Sequence, residues 1–482
     1  MAEETWHAAR LIPTSGISGP EEQERRGTSA LLAVLGSVRE FGRTITTRLG
    51  APAGLIETFI EVPFTLEDRR VYPDGLIRVT RGQRVWVALV EVKTGRNELA
   101  TQQLENYLDV AREEGFDAVL TISNQIATVA GVHPTPVDKR KTKKVALHHL
   151  SWSQIHTEAI MEKVNRSISD PDQAWILAEL IRYLEHPKSG AADFDDMGPA
   201  WVAVRESIAA GTLRTTDKGL LDVVAKWEQL TRYAGMRLGR ELGTEVQPAL
   251  SRREIAEPSL RLQAQSTALV NSGTLTGSLK IPNTVAPLDI VADLRTSRVS
   301  CSVEFEAPRE GKPLTRVTWL LRQLKDADDD VRIDSYTPWT RGVSRSELLR
   351  KLKERPDLLL DDQKREIRAF RITATKPSGS KRGQAKGSFV GSVLDLVDSF
   401  YLGVLQNLKP WSAPPPKLRQ PEPGALAEPA VPAELSSTAL SSQDEIATDA
   451  PTAPAAYADA APTDPEREDD AAASAVLMAR DD

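Results

Sequence analysis

The run Val85-Trp-Val-Ala-Leu-Val90 has no polar side and is closed by Glu91-Val92-Lys93. A strand that is apolar on both faces must be covered on both, so this segment belongs inside a layered sheet. Just before it, Leu76 to Thr80 is also apolar and β-branched. The intervening Arg81-Gly82-Gln83-Arg84 puts glycine at the first central position of a two-residue II′ hairpin turn. Counting outward from that turn pairs Arg81 with Arg84, Val79 with Trp86 and Ile77 with Ala88. The same count brings Asp74 opposite Glu91.

Two carboxylates facing each other in a sheet repel, more so beside a buried strand. A divalent cation that prefers oxygen, Mg²⁺ or Mn²⁺, would relieve the repulsion. Side chains alternate along a strand, so Lys93 shares the face of Glu91. An acid pair with a metal and an adjacent lysine can hydrolyse a phosphodiester. The metal polarises the phosphate, and Lys93 acts as base or as charge stabiliser for the attacking water.

Asn97 to Glu114 has helical periodicity through Leu99, Leu104, Leu108 and Ala111, with Asn97 as expected N-cap and Gly115 as the stop. Gln103 and Tyr107 are one turn apart on a face beside the apolar stripe, within reach of the strand end carrying Glu91 and Lys93. Asp117 to Ser123 reads as a further buried strand. Ala146-Leu-His-His-Leu150 reads as the last strand, with Ser151 capping a helix. His148 and His149 point to opposite faces of that strand and cannot chelate one ion together.

Pro73-Asp74, Glu91-x-Lys93 and the helix Gln103-x-x-x-Tyr107 resemble the PD-(D/E)XK nuclease superfamily, in its RecB-like branch. The resemblance covers roughly residues 20 to 155, about one domain's worth. It implies an α/β restriction-endonuclease-like core of order α-β-β-β-α-β around a mixed sheet, with the metal held by Asp74 and Glu91. It also implies a glutamate from the first helix. That helix opens at Ser18-Gly-Pro20 and carries Leu31, Leu32, Leu35 and Val38; Glu24 lies on its core face, ahead of Glu21 as candidate. Singly, these features also fit a turn, a cross-strand ion pair and a helix surface. Two alternatives stand beside the nuclease reading: a catalytically silent member of the fold that binds DNA or a protein partner, and an RNA-directed nuclease.

The net charge of −7 looks unsuited to DNA until it is divided along the chain. Trp411 to Asp482 holds 14 acidic and 4 basic residues, which leaves 57 basic and 54 acidic before it. The acidic balance thus sits in an Ala/Pro-rich tail without a core-forming pattern, expected to be disordered. The densest basic run, Lys139-Arg140-Lys141-Thr142-Lys143-Lys144, is a candidate phosphate contact.

The expected domains are 1–160 nuclease-like, 161–245 a helical connector, 246–410 an α+β domain, and 411–482 the tail. Within the third, Ser259 to Gln263, Ala268 to Val270, Ser278 to Ile281, Ile290 to Leu294 and Val299 to Phe305 are expected as antiparallel strands. Helices are expected near Arg316–Leu324, Ser344–Lys353 and Val390–Leu408, and strands near Val331–Tyr336 and Ile367–Ala374. Lys376, Lys381, Arg382 and Lys386 form a second basic loop. With a single cysteine, Cys301, no disulfide can form within the chain. Neither a signal peptide nor a membrane span is evident, so the expected compartment is the cytoplasm. There is no Walker A motif, and a partner ATPase, helicase or other defence-system component would be a separate protein. DNA is the expected substrate, in defence or repair, and an oligomer is compatible with the sequence.

Overall fold

The hairpin lies at the centre of a five-stranded sheet in a computed structural model that describes residues 11–129, 131–362, 365–383 and 386–412. In chain order the strands are β1 (Leu55–Ile60), a small separate pair β2 (Phe64–Leu66) and β3 (Arg69–Val71), β4 (Gly75–Arg81), β5 (Arg84–Val92), β6 (Ala118–Ser123) and β7 (Ala146–Ser151). Their spatial order is β1-β4-β5-β6-β7. The first three are antiparallel and the last three parallel, so the sheet is mixed. The hairpin register is Arg81 to Arg84 through Gly75 to Val90, as counted from the turn. Gly82 has φ 59, and Gln83 is not left-handed, the combination a II′ turn requires.

Helices α1 (Pro20–Ser37), α2 (Arg39–Arg48), α4 (Trp152–Met161) and α5 (Pro171–Glu185) cover one face of this sheet, and α3 (Thr101–Glu113) the other. Alternation along β5 sorts the side chains. Trp86, Ala88, Val90 and Val92 join Leu31, Leu35, Phe41 and Trp152. Leu89 goes to the opposite side with Leu76, Tyr107, Leu108 and Val119. Each fully buried Leu or Val side chain contributes about 1.5–3 kcal/mol, so both layers are needed to hold a strand apolar on both sides.

Two local expectations are corrected here. Helix α3 begins at Thr101 and its N-cap position, Ala100, has no side-chain cap, because Asn97 is drawn away to Glu24. Val38 is not part of the α1 stripe but the residue linking α1 to α2, and it is fully buried. As expected, α1 opens with Pro20 in its first turn; Gly19 takes the N-cap position, with no side-chain cap bond. By contrast, Ser151 caps α4 with a complete capping box through Gln154, as the sequence suggests.

The second half contains α6 (Trp201–Ala209), α7 (Leu220–Leu242), β8 (Gln247–Pro248), α8 (Arg252–Ala256), α9 (Pro258–Ser272), β9 (Thr274–Lys280), β10 (Leu288–Asp293), β11 (Arg298–Glu306), α10 (Pro313–Gln323), β12 (Arg332–Tyr336), β13 (Arg345–Leu348), α11 (Leu349–Glu354), β14 (Ala369–Pro377) and α12 (Phe389–Gly403). Its strands form an antiparallel sheet in the order β13-β12-β14-β11-β10-β9-β8. Ser259–Gln263 and Ala268–Val270 are helical, not strands: Pro258 opens α9 at its first turn and Gly273, φ 70, closes it. Ser344–Lys353 divides into β13 and α11.

The stretch 161–245 contributes to both cores. Leu177, Leu180, Tyr183 and Leu184 of α5 complete the first core, whereas Val223, Trp227 and Leu230 of α7 belong to the second. Phe389–Asn407 is apolar and long enough to cross a membrane by length and composition, with mean hydropathy 1.3. Half of it is buried, with Phe389, Val393, Val397 and Phe400 packed in the second core. The tail expected from 411 lies outside the described residues beyond Ser412.

Candidate active site

Glu91, the next-to-last residue of β5, is one of the few fully buried acids among the described residues, at 1% exposure. Across from it, Asp74 precedes β4, and its Oδ2 accepts the Val92 backbone N–H at 2.7 Å. Lys93 Nζ lies 2.7 Å from Glu91 Oε1 and 3.3 Å from Glu24 Oε2. Glu24 Oε1 accepts from Asn97 Nδ2 at 2.5 Å. The structure therefore gathers Glu24, Asp74, Glu91 and Lys93 from α1, the start of β4 and the end of β5. Glu21 is exposed and lines a cleft of about 190 Å³ with Glu24, Arg25, Thr28, Glu61 and Asp74.

From α3, Gln103 Nε2 donates to Glu91 Oε1 at 2.7 Å and to the Tyr107 hydroxyl at 3.1 Å. The Tyr107 hydroxyl donates to the Tyr72 carbonyl at 3.2 Å. These residues hold the Glu91 carboxylate in place; buried Tyr107 has its hydroxyl committed to the protein.

The electrostatics follow from burial and crowding. Burial pushes Glu91 up to about 7, the Asp74 charge adds to the rise, and Lys93 and Tyr107 oppose it. Asp74 is also raised, again chiefly by burial, against the Val92 N–H and Lys93. The Asp74 charge acts directly on Glu91, so the two carboxyls titrate as an interacting pair. Burial disfavours the Lys93 ammonium, yet Glu91, Asp74 and Glu24 outweigh it and its pKa lies above the ordinary lysine value.

Glu91 Oε2 is buried with no hydrogen-bond partner. A buried acceptor left unpaired costs about 1–3 kcal/mol, and a hard cation between Asp74 and Glu91 would satisfy it. No group of three or more His, Cys, Asp or Glu arranged to hold a metal occurs among the described residues. Asp74 and Glu91 offer two carboxylates, and an ion of the Mg²⁺ kind commonly binds through one or two carboxylates with its other ligands from water and phosphate.

Several residues that sequence reasoning did not single out shape the site. The Lys93 carbonyl accepts from Trp152 Nε1 at 2.9 Å. The next turn is pinned by Gly95 N–H to the Gly190 carbonyl at 2.8 Å, and Asn124 Nδ2 donates to both the Gly95 and Gly190 carbonyls. Gly190, φ 76, has no room for a side chain, because a Cβ would lie 2.8 Å from that of Thr94. None of these contacts has a local sequence signal, since the partners are tens of residues apart.

The basic run is placed elsewhere. Ala146 pairs with Ala118 and through it with Ala88, so Lys139 to Lys144 lies at the start of the parallel strands, while Glu91 lies at their end. Lys141 is engaged by Asp109 and, at 3.9 Å, by Glu105. Lys139, Arg140, Lys143 and Lys144 are exposed, with Arg140 3.5 Å from Asp138. In the second half, the Lys381 and Arg382 backbones are tied to Phe389 and Met197, so that loop is anchored. His149 Nε2 donates to the Gln125 carbonyl at 2.7 Å, so Nδ1 accepts from the Thr121 hydroxyl at 2.8 Å, and Thr121 in turn accepts from His133 Nε2 at 2.7 Å. No family model matches the chain, and no curated protein or solved structure matches it.

Proposed function

We propose that Asp74, Glu91 and Lys93 form the centre of a Mg²⁺- or Mn²⁺-dependent nuclease that hydrolyses DNA phosphodiester bonds. The observation that carries this reading is a pair of carboxyls meeting across two strands beside a lysine, with one buried oxygen of Glu91 left without a partner. The likeness of the same residues to the PD-(D/E)XK motif supports it from the sequence side, and a restriction-endonuclease-like core is the finer reading of the mixed sheet.

A bound metal would supply a Lewis acid for the phosphate oxygen and a water of lowered pKa. In the metal-free chain Glu91, Asp74 and Glu24 hold the Lys93 pKa above its ordinary value, which favours a role as positive charge beside the scissile phosphate over one as base. Glu24 and Trp152 hold the lysine at its side chain and its backbone, and Gln103 fixes the carboxylate of Glu91. The biological setting consistent with this chemistry is defence against foreign DNA or repair, in the cytoplasm, with any ATPase or helicase supplied by a partner.

One observation favours the catalytically silent reading: Lys93 already compensates Glu91 at 2.7 Å without a metal. Cleavage assays on linear and circular duplex, single-stranded DNA and RNA, each with Mg²⁺, Mn²⁺ or EDTA, decide among the readings. Metal-dependent cutting of DNA is expected. Cutting of RNA alone would redirect the proposal to RNA, and no cutting of any substrate would leave the silent adaptor.

A further inference from the structure

Where the two halves meet, α4 packs on α7, and two adjoining cavities of about 210 and 390 Å³ open there, sharing Arg48, Leu150, Gln154, Arg232 and Glu245 in their walls. The smaller is largely apolar, lined by Ile45, Val129, Ile155, Met161, Met236 and Val246 among others. The larger carries His133, His148 and His149. They differ in chemistry as the body and head of one small molecule would.

Arg232 stands at the junction. Its Nη1 donates to the Ala127 carbonyl, and among the described residues no carboxylate pairs with its guanidinium. Burial alone lowers its pKa to about 10. Of the acids in the walls, Glu158 is bridged by Arg48 at 2.5 Å and Arg166 at 3.3 Å, and Glu245, which is exposed and accepts from Gln247 Nε2 at 3.0 Å, does not pair with Arg232. His148 Nε2 is buried without a hydrogen-bond partner and lies in the wall of the larger cavity. An uncompensated buried cation is costly to a fold, and buried charges are ordinarily paired. A guanidinium with free N–H groups is the side chain best shaped to receive an oxyanion.

We propose that this interface is a binding site for a small organic anion, its phosphate or carboxylate head received by Arg232 and its apolar body in the smaller cavity. The site is separate from the carboxylate cluster and does not depend on nuclease activity. It lies on the same sheet: Glu91 pairs with Thr121, and Thr121 with His149 in the larger cavity's wall.

The test uses the full chain, with calorimetry and melting in inorganic phosphate, phenyl phosphate and benzoate. Phenyl phosphate or benzoate is expected to bind saturably and more tightly than inorganic phosphate, and the stronger of the two identifies the head group. Arg232→Met keeps the aliphatic stem and should weaken that binding at least about tenfold, the effect of removing a charge-assisted hydrogen bond. Without ligand it should melt at or above the wild-type temperature. Ile255→Asp changes an exposed residue at the apolar wall and should weaken the aromatic probe but not inorganic phosphate. Absence of saturable binding of all three probes, or unchanged binding in Arg232→Met, overturns the proposal. A lowered melting temperature of ligand-free Arg232→Met would likewise overturn it, because the arginine would then be a brace for the Ala127 carbonyl.

Discussion

Two glutamates, one in each half, are buried to nearly the same degree: Glu91 at 1% and Glu228 at 3% exposure. Each has one carboxylate oxygen without a hydrogen-bond partner, each is raised above the ordinary carboxylate range chiefly by burial, and each has a cation beside it. Arg261 Nε is 2.6 Å from Glu228 Oε2, and the same guanidinium reaches Glu254 Oε1 and the Thr276 carbonyl, both at 3.2 Å. That is a brace between α7, α9 and β9. At Glu91 the cation is a lysine, and a second buried carboxyl, Asp74, faces the first. Burial of one acid is a structural device. Crowding of two is, on the function proposed above, what would prepare a site for a cation and for chemistry.

The largest expected difference is in turnover. Lys93→Ala should lower kcat by about 10²–10³-fold, the scale of losing one preorganised charge, while both oxygen ligands remain and metal still binds. Asp74→Asn should abolish cutting through poorer Mg²⁺ or Mn²⁺ affinity, and the metal-free variant should melt at or above wild type. Normal cutting and normal metal affinity in Asp74→Asn would show that the acid pair is not the site. Glu228→Gln should leave kcat unchanged.

The pH dependence of Glu91 comes next. The Glu91 pKa is raised to about 7 in the folded chain, so the native state holds a proton that the unfolded chain releases near 4.5. Stability from this group is present below 4.5 and is lost as pH rises to about 7, a change on the order of 3 kcal/mol in metal-free protein. His149 is lowered to about 4 by burial, and its contribution runs the other way between about 4 and 6.5. Comparing Glu91→Gln with wild type in EDTA removes the histidine contribution, and denaturant unfolding should show the variant's advantage growing with pH. A constant difference between pH 4.5 and 7 would refute the raised pKa.

A smaller effect is expected from Glu228→Gln, which weakens the brace on Arg261 and should cost about 1–3 kcal/mol in denaturant unfolding. An unchanged midpoint would mean that Glu228 braces nothing, and the contrast with Glu91 would fall. Least of all, Lys143→Ala with Lys144→Ala should reduce the salt slope of DNA binding by no more than about one unit for each phosphate no longer neutralised. A collapse of binding at low salt would show that DNA follows the start of the parallel strands and not their acidic end.

What the sequence discloses and what it conceals divide along distance in the chain. Asp74, Glu91 and Lys93 come together through a strand register set by one two-residue turn, and Gln103 meets Tyr107 through helical spacing; both are local rules. The resemblance calls for a glutamate on the first helix, and apolar periodicity from Leu31 picks out Glu24. Asn97 misleads because a good N-cap residue is recruited by Glu24, 73 positions away. Ser259 to Gln263 misleads because Leu260 and Leu262 alternate like a strand, although Pro258 and Gly273 carry the helix signals. The Thr121 link between His133 and His149 needs strand order β6-β7 and a loop, neither of which periodicity supplies.

The seating of Lys93 has a consequence for how this chain can be divided. The lysine's carbonyl is held by Trp152, whose ring packs in the core completed by α5, and the following turn is held by Gly190. A fragment ending at residue 160 would keep every residue of the acid-lysine motif and lose the wall behind it. Such a piece should expose the Trp152 side of the core and leave its lysine loosely held, whereas one extending past Ala192, whose N–H donates to Asn124 at 2.8 Å, retains those supports. The shortest stretch that includes the motif and the smallest body that can hold it in place are different lengths of chain.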